Sequence, residues 1–166
     1  MKCVIDTSAL SWLARVDYLW LLKEIYEGVY APQIIFDELK PHNETRDFVE
    51  NHLEGIILSE HEEKKLKLLA DKWQRWTGSK DRGDIEVFVA YHFFSKADEM
   101  LFANEGAVNS FAIYGGARDI ITLYELAEKK NIFSKKDAIE YLRKLENMKY
   151  RTNFIPKLVE SLLLFQ

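Results

Sequence analysis

Short apolar runs alternate with longer amphipathic stretches along this chain. The runs predict buried strands at 3–5, 29–31, 56–58, 100–103 and 111–114. The amphipathic stretches predict helices at 18–26, 32–40, 45–53, 60–76, 84–94, 117–129, 135–147 and 152–165. Apolar strands that alternate with helices favour a parallel β-sheet covered by helices on both faces.

Prolines and a polar loop separate the predicted elements without indicating a second domain. Pro32 is expected to open the helix after the second strand and Pro41 to end it. Residues 77–83 form the clearest loop of the chain. A chain of 166 residues is most simply one domain. We therefore expect a single domain over 1–166, in which 135–166 is a C-terminal helical extension packed on the body.

Acidic residues stand at the edges of several predicted elements. Asp6 directly follows the first strand, and Asn104 and Glu105 directly follow the fourth. Glu38 lies in the helix after the second strand, and Asp84 begins the helix before the fourth. Parallel α/β sheets bind ligands at the carboxyl ends of their strands. These side chains can therefore converge on one edge of the sheet.

A pocket lined by carboxylates suits a hard divalent cation such as Mg²⁺ or Mn²⁺, and such sites commonly serve phosphoryl transfer or phosphodiester hydrolysis. Each acid also has a structural interpretation. Asp6 can cap the helix that follows it, and Glu38 can be a solvated helix position. Asp84 can be an N-cap, with Glu86 or Glu105 complementing the dipole of its own helix. These separate interpretations do not explain why the acids gather at one sheet edge.

Charge and composition narrow the range of possible functions further. The formal net charge of −4 gives no overall attraction to nucleic acid, so RNA contact requires a local basic patch or a bound metal. Cys3 is the only cysteine, which excludes an intramolecular disulfide and the zinc sites built from paired cysteines. The apolar runs are too short for a membrane span, and the first is interrupted by Asp6. We expect a cytoplasmic protein that does not enter a membrane.

Five short segments together resemble the PIN-domain family, which includes the VapC-type toxin ribonucleases. The matching segments are residues 4–10, 31–39, 82–87, 101–107 and 115–133. The resemblance covers about residues 2–160, and its specificity comes from the order and spacing of the segments. It implies a three-layer α/β/α sandwich around a central, mostly parallel five-stranded sheet. It also implies an endoribonuclease that depends on Mg²⁺ or Mn²⁺.

The family's functional positions can be carried over residue by residue. The catalytic, metal-binding acids match Asp6, Glu38, Asp84 and Glu105. Glu86 is the alternative to Asp84, Asn104 is a further metal-ligand candidate, and Thr7 or Ser8 matches a small hydroxyl beside the first acid. The resemblance to toxins also implies a homodimer and an inhibitory antitoxin protein as partners.

Asn104 departs from the family pattern, which usually has an acid at this position. An amide oxygen can bind a cation but brings no negative charge. This favours a second hypothesis, a catalytically degenerate PIN-like domain that serves as an RNA- or protein-binding module. A receiver-like signalling domain is a third. It requires a lysine after the last strand, where this sequence has Tyr114-Gly115-Gly116.

Substrate contacts need cations that offset the acidic background. Lys80 and Arg82 border the loop at 77–83, and Arg118 follows the double glycine, so these three are the candidates for phosphate contacts. Solvated loop charges are the alternative interpretation. Trp73 and Trp76 can stack on bases, but their helical spacing favours core packing or a subunit contact.

Overall fold

A computed structural model describes residues 1–40 and 43–165, and its centre is a five-stranded parallel sheet. The strands are β1 Lys2–Ile5, β2 Gly28–Ala31, β3 Leu53–Gly55, β4 Glu99–Phe102 and β5 Ala117–Asp119. Their order is β3-β2-β1-β4-β5, and every neighbouring pair is parallel. β1 is thus the central strand, and the chain crosses over from β3 to β4.

Helices connect the strands and continue beyond the last one. They are α1 Thr7–Arg15, α2 Leu19–Ile25, α3 Gln33–Leu39, α4 Arg46–His52, α5 Glu60–Thr77, α6 Arg82–Val89, α7 Glu105–Phe111, α8 Leu123–Lys129, α9 Lys135–Asn147 and α10 Ile155–Leu164. The prediction of a three-layer α/β/α sandwich is confirmed. In the described part of the chain, no helix is both long and apolar enough to cross a bilayer.

The chain forms two compact units, Met1–Ile120 and Ile121–Gln166. The first contains the sheet, and its core includes the fully buried strand residues Val4, Ile5 and Leu101. In the second, α9 packs against α8 and α10. The single-domain arrangement with 135–166 as an extension stays a prediction.

The third strand was predicted at 56–58 but lies at Leu53–Gly55. Leu53 is buried and pairs with Val29 of β2, whereas the Ile57 side chain is 97% exposed. β3 is an edge strand, so it needs few apolar residues. The adjacent run at 56–58 is more hydrophobic, and the strand was therefore predicted there.

The prediction of a fifth strand at 111–114 is also wrong. Phe111 ends α7, and Ala112–Tyr114 form a 3₁₀ turn in which Ile113 is 82% exposed. The strand comes after the double glycine, at Ala117–Asp119. The polar residues of this strand kept its position from being predicted. Arg118 is partly buried there because it forms an ion pair, not because it is hydrophobic.

Several helix boundaries also differ from the prediction. α6 begins at Arg82, and Ala90–Phe94 continue it as a π-helical turn. α8 begins at Leu123 because residues 117–119 belong to β5. The predicted stop at Pro41 lies outside the described residues. The helix before it ends at Leu39.

The sheet brings two strand ends together where the acids stand. Ile5 of β1 pairs with Leu101 of β4, and the Asp6 backbone N–H donates to the Leu101 carbonyl at 3.2 Å. The residues that follow β1 and β4 therefore leave the sheet side by side. This arrangement matches the expected position for a ligand in a parallel sheet.

Candidate active site

Asp6 is fixed in place by the start of α1. It is the N-cap of that helix, and its Oδ1 accepts a hydrogen bond from the backbone N–H of Ala9 at 2.9 Å. Its Oδ2 accepts from the Ser8 hydroxyl at 2.7 Å. The side chain is almost fully buried. Asp6 thus does cap its helix, and the same carboxylate also faces the neighbouring α6.

Asp84 lies in the first turn of α6 and is also buried. The N-cap of that helix is Asp81, whose Oδ1 accepts from the Asp84 backbone N–H at 3.1 Å. The Asn104 amide donates from Nδ2 to Asp84 Oδ2 at 3.3 Å. Asn104 Oδ1 accepts from the Gly106 N–H at 2.9 Å and caps α7. The cap determines which end of the amide faces Asp84.

The carboxyl groups of Asp6 and Asp84 lie close enough for each to affect the pKa of the other. Burial, the largest cause, raises the pKa of both groups, and repulsion from Asp6 and Asp81 raises the pKa of Asp84 further. Two carboxylates at this distance cannot both ionise at low cost. The metal-free pair therefore retains a proton at neutral pH.

Glu38 of α3 approaches the same place from another side. Its Oε2 accepts a hydrogen bond from the Thr7 hydroxyl. A Cβ atom at Gly83 would lie 2.9 Å from Glu38 Oε1 and 3.3 Å from Asp81 Oδ1. A side chain at position 83 would therefore displace the Glu38 carboxylate from this place.

A cavity of about 350 Å³ joins these acids. Its polar lining includes Asp6, Thr7, Ser8, Glu38, Asp81 and Asp84. Trp12 and Arg15 of α1 also line it, and the Arg15 guanidinium lies 5.1 Å from the centre of the Trp12 ring. The structure thus brings together three of the predicted acids and both predicted hydroxyls.

A second cavity, of about 370 Å³, also has Asp84 in its lining. Asp81 and Asp84 line both cavities, and Asn104 and Lys80 line the second. Asn104 thus reaches the site through Asp84.

The remaining predicted residues have other surroundings. Glu86 accepts from Arg82 Nε at 3.0 Å, and Arg82 Nη1 donates to Asp71 at 2.6 Å. Arg118 Nε donates to Glu99 at 2.8 Å, near the start of β4. Glu105 is exposed at the start of α7. Among the described residues that line the two cavities, none of these four appears.

The side-chain atoms of Asp6, Asp84 and Glu38 that can bind a metal are all oxygens, the ligand atoms that Mg²⁺ and Mn²⁺ prefer. In the described ranges, no group of three or more His, Cys, Asp or Glu side chains is already arranged to hold a metal ion. The pair nevertheless fits a cation in chemistry, because a divalent charge would replace the proton that the two carboxyls retain.

The sequence interpretation missed Asp81. The available signal was the Asp-x-x-Asp spacing of Asp81 and Asp84, which is typical of a helix N-terminus and places the cap beside the third residue of the helix. It also missed Trp12 and Arg15, which follow Asp6 on the amphipathic helix α1.

A family model described as a PIN domain matches residues 2–163. Neither the curated proteins nor the solved structures contain a match to this chain.

Proposed function

The chain belongs to the PIN-domain family, and from this premise we propose that it is a metal-dependent endoribonuclease of the VapC-toxin type. A PIN domain is a nuclease-type fold. The observation that carries the finer proposal is the buried Asp6–Asp84 pair at the carboxyl ends of the sheet. Burying two carboxyl groups against each other costs stability, so the presence of this pair favours a functional role.

Asp6, Asp84 and Glu38 are the residues that would hold Mg²⁺ or Mn²⁺. The bound ion would polarise a phosphate oxygen and lower the pKa of a coordinated water. Glu105, which begins the helix after Asn104, stays a candidate fourth acid, and Glu86 stays the alternative to Asp84. RNA is the proposed substrate, and cleavage would hydrolyse a phosphodiester bond.

The surrounding residues orient these acids. Ser8 and the Ala9 N–H hold the two oxygens of Asp6 in fixed directions. Thr7 directs one oxygen of Glu38. Asn104 donates to Asp84 and stabilises its ionised form. A metal ion binds the ionised carboxylates, so the proton that Asp6 and Asp84 retain must leave first. Cleavage is therefore expected to rise with pH.

Isothermal titration of chelator-treated protein with Mn²⁺, together with a gel assay of RNA cleavage, tests the proposal. Asp6→Asn should abolish both metal binding and cleavage. Asp47→Asn, an exposed acid on α4, makes the same change in charge and should alter neither. Unchanged cleavage by Asp6→Asn would contradict the assignment.

Asn104 supports a second candidate, an RNA- or protein-binding module without catalysis. That candidate predicts RNA binding without metal-dependent cleavage in the wild-type protein. By likeness to the toxins, we also propose that the protein forms a homodimer, binds an antitoxin protein and acts in the cytoplasm. Light scattering of the purified protein tests the dimer.

A further inference from the structure

The outward side of α5 is a basic surface in a chain whose formal net charge is −4. One side of this helix packs against α6, and Leu66 and Ala70 are buried there. At 3.6 residues per turn, the opposite side is exposed and carries Lys65, Leu68, Lys72 and Arg75. We call these four residues the α5 face.

The acidic residues of α5 do not neutralise this face. Glu60 pairs with Lys64, and Asp71, which borders the face, pairs with Arg82 at 2.6 Å. The other two acids lie in the first turn, on different sides of the helix from the face. In the described part of the chain, the side chains of the three cations make no hydrogen bond and no ion pair. Their positive charge is therefore available to an anionic partner.

Trp76 stands beside the face and is 74% exposed. Helical spacing alone favoured core packing or a subunit contact for both tryptophans of α5. Trp73 does pack on the buried Phe88, at a ring-centroid distance of 4.7 Å. The Trp76 ring rests on Trp73 at 5.0 Å and leaves most of its surface in solvent. An exposed ring beside uncompensated cations suits a nucleic-acid strand, because bases stack on the ring while the cations contact phosphates.

The C-terminal end of α5 lies near the acid pair. Thr77 and Gly78 line the second cavity, whose lining also includes Asp84. From Lys65 to Arg75 the face extends about 15 Å along the helix, at 1.5 Å per residue. The face is therefore long enough to meet more than one phosphate of a strand that continues toward the acids.

We propose that the α5 face and Trp76 form a binding surface for the phosphate backbone of RNA, outside the catalytic site. Charge complementarity identifies the partner, since the face has three cations and no acid of the fully described α5 lies on it. A second copy of the chain docked symmetrically on the same face would place like charges opposite each other. The inference rests on the proposed function in taking RNA as the ligand.

A triple variant with a matched control tests the surface. The triple variant removes the three cations of the face: Lys65→Gln, Lys72→Gln and Arg75→Gln. The control makes the same charge change at exposed positions of α8, α9 and α10: Lys129→Gln, Lys136→Gln and Lys157→Gln. Trp76→Ala removes the exposed ring, and Trp76→Phe keeps a ring in its place.

Binding is measured by fluorescence anisotropy with a labelled oligouridylate of about 20 nucleotides, longer than a typical single-stranded binding site. Chelator in the buffer prevents metal-dependent cleavage. It also leaves the acid pair without a cation, so phosphate binding at the acids is disfavoured and the anisotropy reports on other surfaces.

The triple variant should reduce the slope of log K against log salt by about 2, because each phosphate contact on a single strand contributes about 0.7. At about 0.1 M salt this corresponds to about 100-fold weaker binding. The control should keep the wild-type slope. Trp76→Ala should weaken binding about tenfold without a change in slope, because a stacked base is lost, and Trp76→Phe should retain most of the affinity.

Cleavage of the same RNA with Mn²⁺ provides a second readout. The triple variant should raise KM and leave kcat unchanged, because the α5 face contacts the substrate away from the reacting atoms. A fall in kcat with an unchanged KM would contradict a binding surface.

The outcomes separate this inference from the proposed function. If the wild-type protein cleaves RNA but the triple variant matches its control in affinity and slope, the surface is wrong and the nuclease stands. If the triple variant loses binding as expected but no metal supports cleavage by the wild type, the surface stands as part of a binding module. A wild type that binds polyglutamate through these cations, but not the oligouridylate, identifies an acidic protein segment as the partner and overturns the inference.

Discussion

Two clusters built around buried carboxyl groups lie at opposite ends of the same sheet and are stabilised in opposite ways. At the start of β4, buried Glu99 accepts hydrogen bonds from the Arg118 guanidinium and the Tyr26 hydroxyl. At the carboxyl ends of the strands, Asp6 and Asp84 face each other, and no cationic side chain pairs with either among the described residues. Both clusters are buried, but only the first has its charge compensated from within the chain.

This difference is the one we expect between a structural cluster and the proposed functional one. A buried ion pair whose lone pairs are satisfied has no remaining capacity for a ligand. A buried carboxyl pair without a cation is under electrostatic strain that an external cation can relieve. Arg118, predicted from the sequence to contact phosphate, is placed by the structure in the compensated cluster.

Arg118→Met should produce the largest loss of stability, about 3 kcal/mol, because it leaves Glu99 buried and unpaired. Urea denaturation measures it. The double variant Glu99→Gln with Arg118→Met should recover most of the loss. If the single and double variants are equally unstable, the ion pair is not the source of the effect.

Asp84→Asn should stabilise the metal-free protein by about 1–2 kcal/mol at pH 8. The folded pKa of Asp84 is raised above its unfolded value, so its favourable contribution is complete below about pH 4 and is lost as pH rises through the folded pKa. An asparagine does not ionise, so the variant avoids this loss of stability at high pH. Urea denaturation in chelator at pH 5 and pH 8 measures it. A gain that does not grow with pH would contradict the carboxyl-pair account.

Asn104→Asp should raise Mn²⁺ affinity about tenfold, equivalent to about 1.4 kcal/mol, because it adds a carboxylate beside Asp84. The new side chain can still accept from the Gly106 N–H, so the α7 cap is kept. Isothermal titration measures the change, with Asn109→Asp as a control on the same helix. Equal affinities for Asn104→Asp and wild type would show that position 104 does not contribute to the cation site.

Glu86→Gln should have the smallest effect on Mn²⁺ affinity, a change of less than about twofold (0.4 kcal/mol). Its carboxylate is already paired with Arg82 and therefore resembles the compensated cluster. The same titration decides between Asp84 and Glu86. A large loss of affinity in Glu86→Gln, with little in Asp84→Asn, would reverse the assignment.

The fold could be predicted because the buried strands β1, β2 and β4 carry strong apolar runs. The two edge strands could not be located correctly. β3 and β5 pair on one side only, and β5 contains Arg118 and Asp119, so hydrophobicity does not mark them.

The acid cluster was predictable in part because strand order alone places Asp6 beside the residues that follow β4. The partner of each carboxylate was not predictable. Whether Asp84 or Glu86 faces Asp6 depends on the rotation of α6 about its axis, because the two acids are two residues apart on that helix. Rotation of a helix about its axis is decided by packing, and no spacing in the sequence specifies it.

The position of β1 between β2 and β4 has a consequence for biosynthesis. β2 follows β1 closely along the chain and can pair with it early, but β4 is made much later. A nascent chain that already contains Asp6, Glu38 and Asp84 still lacks the strand that sets the edge where they meet. We therefore expect the proposed cleavage activity to begin only after β4 has emerged from the ribosome.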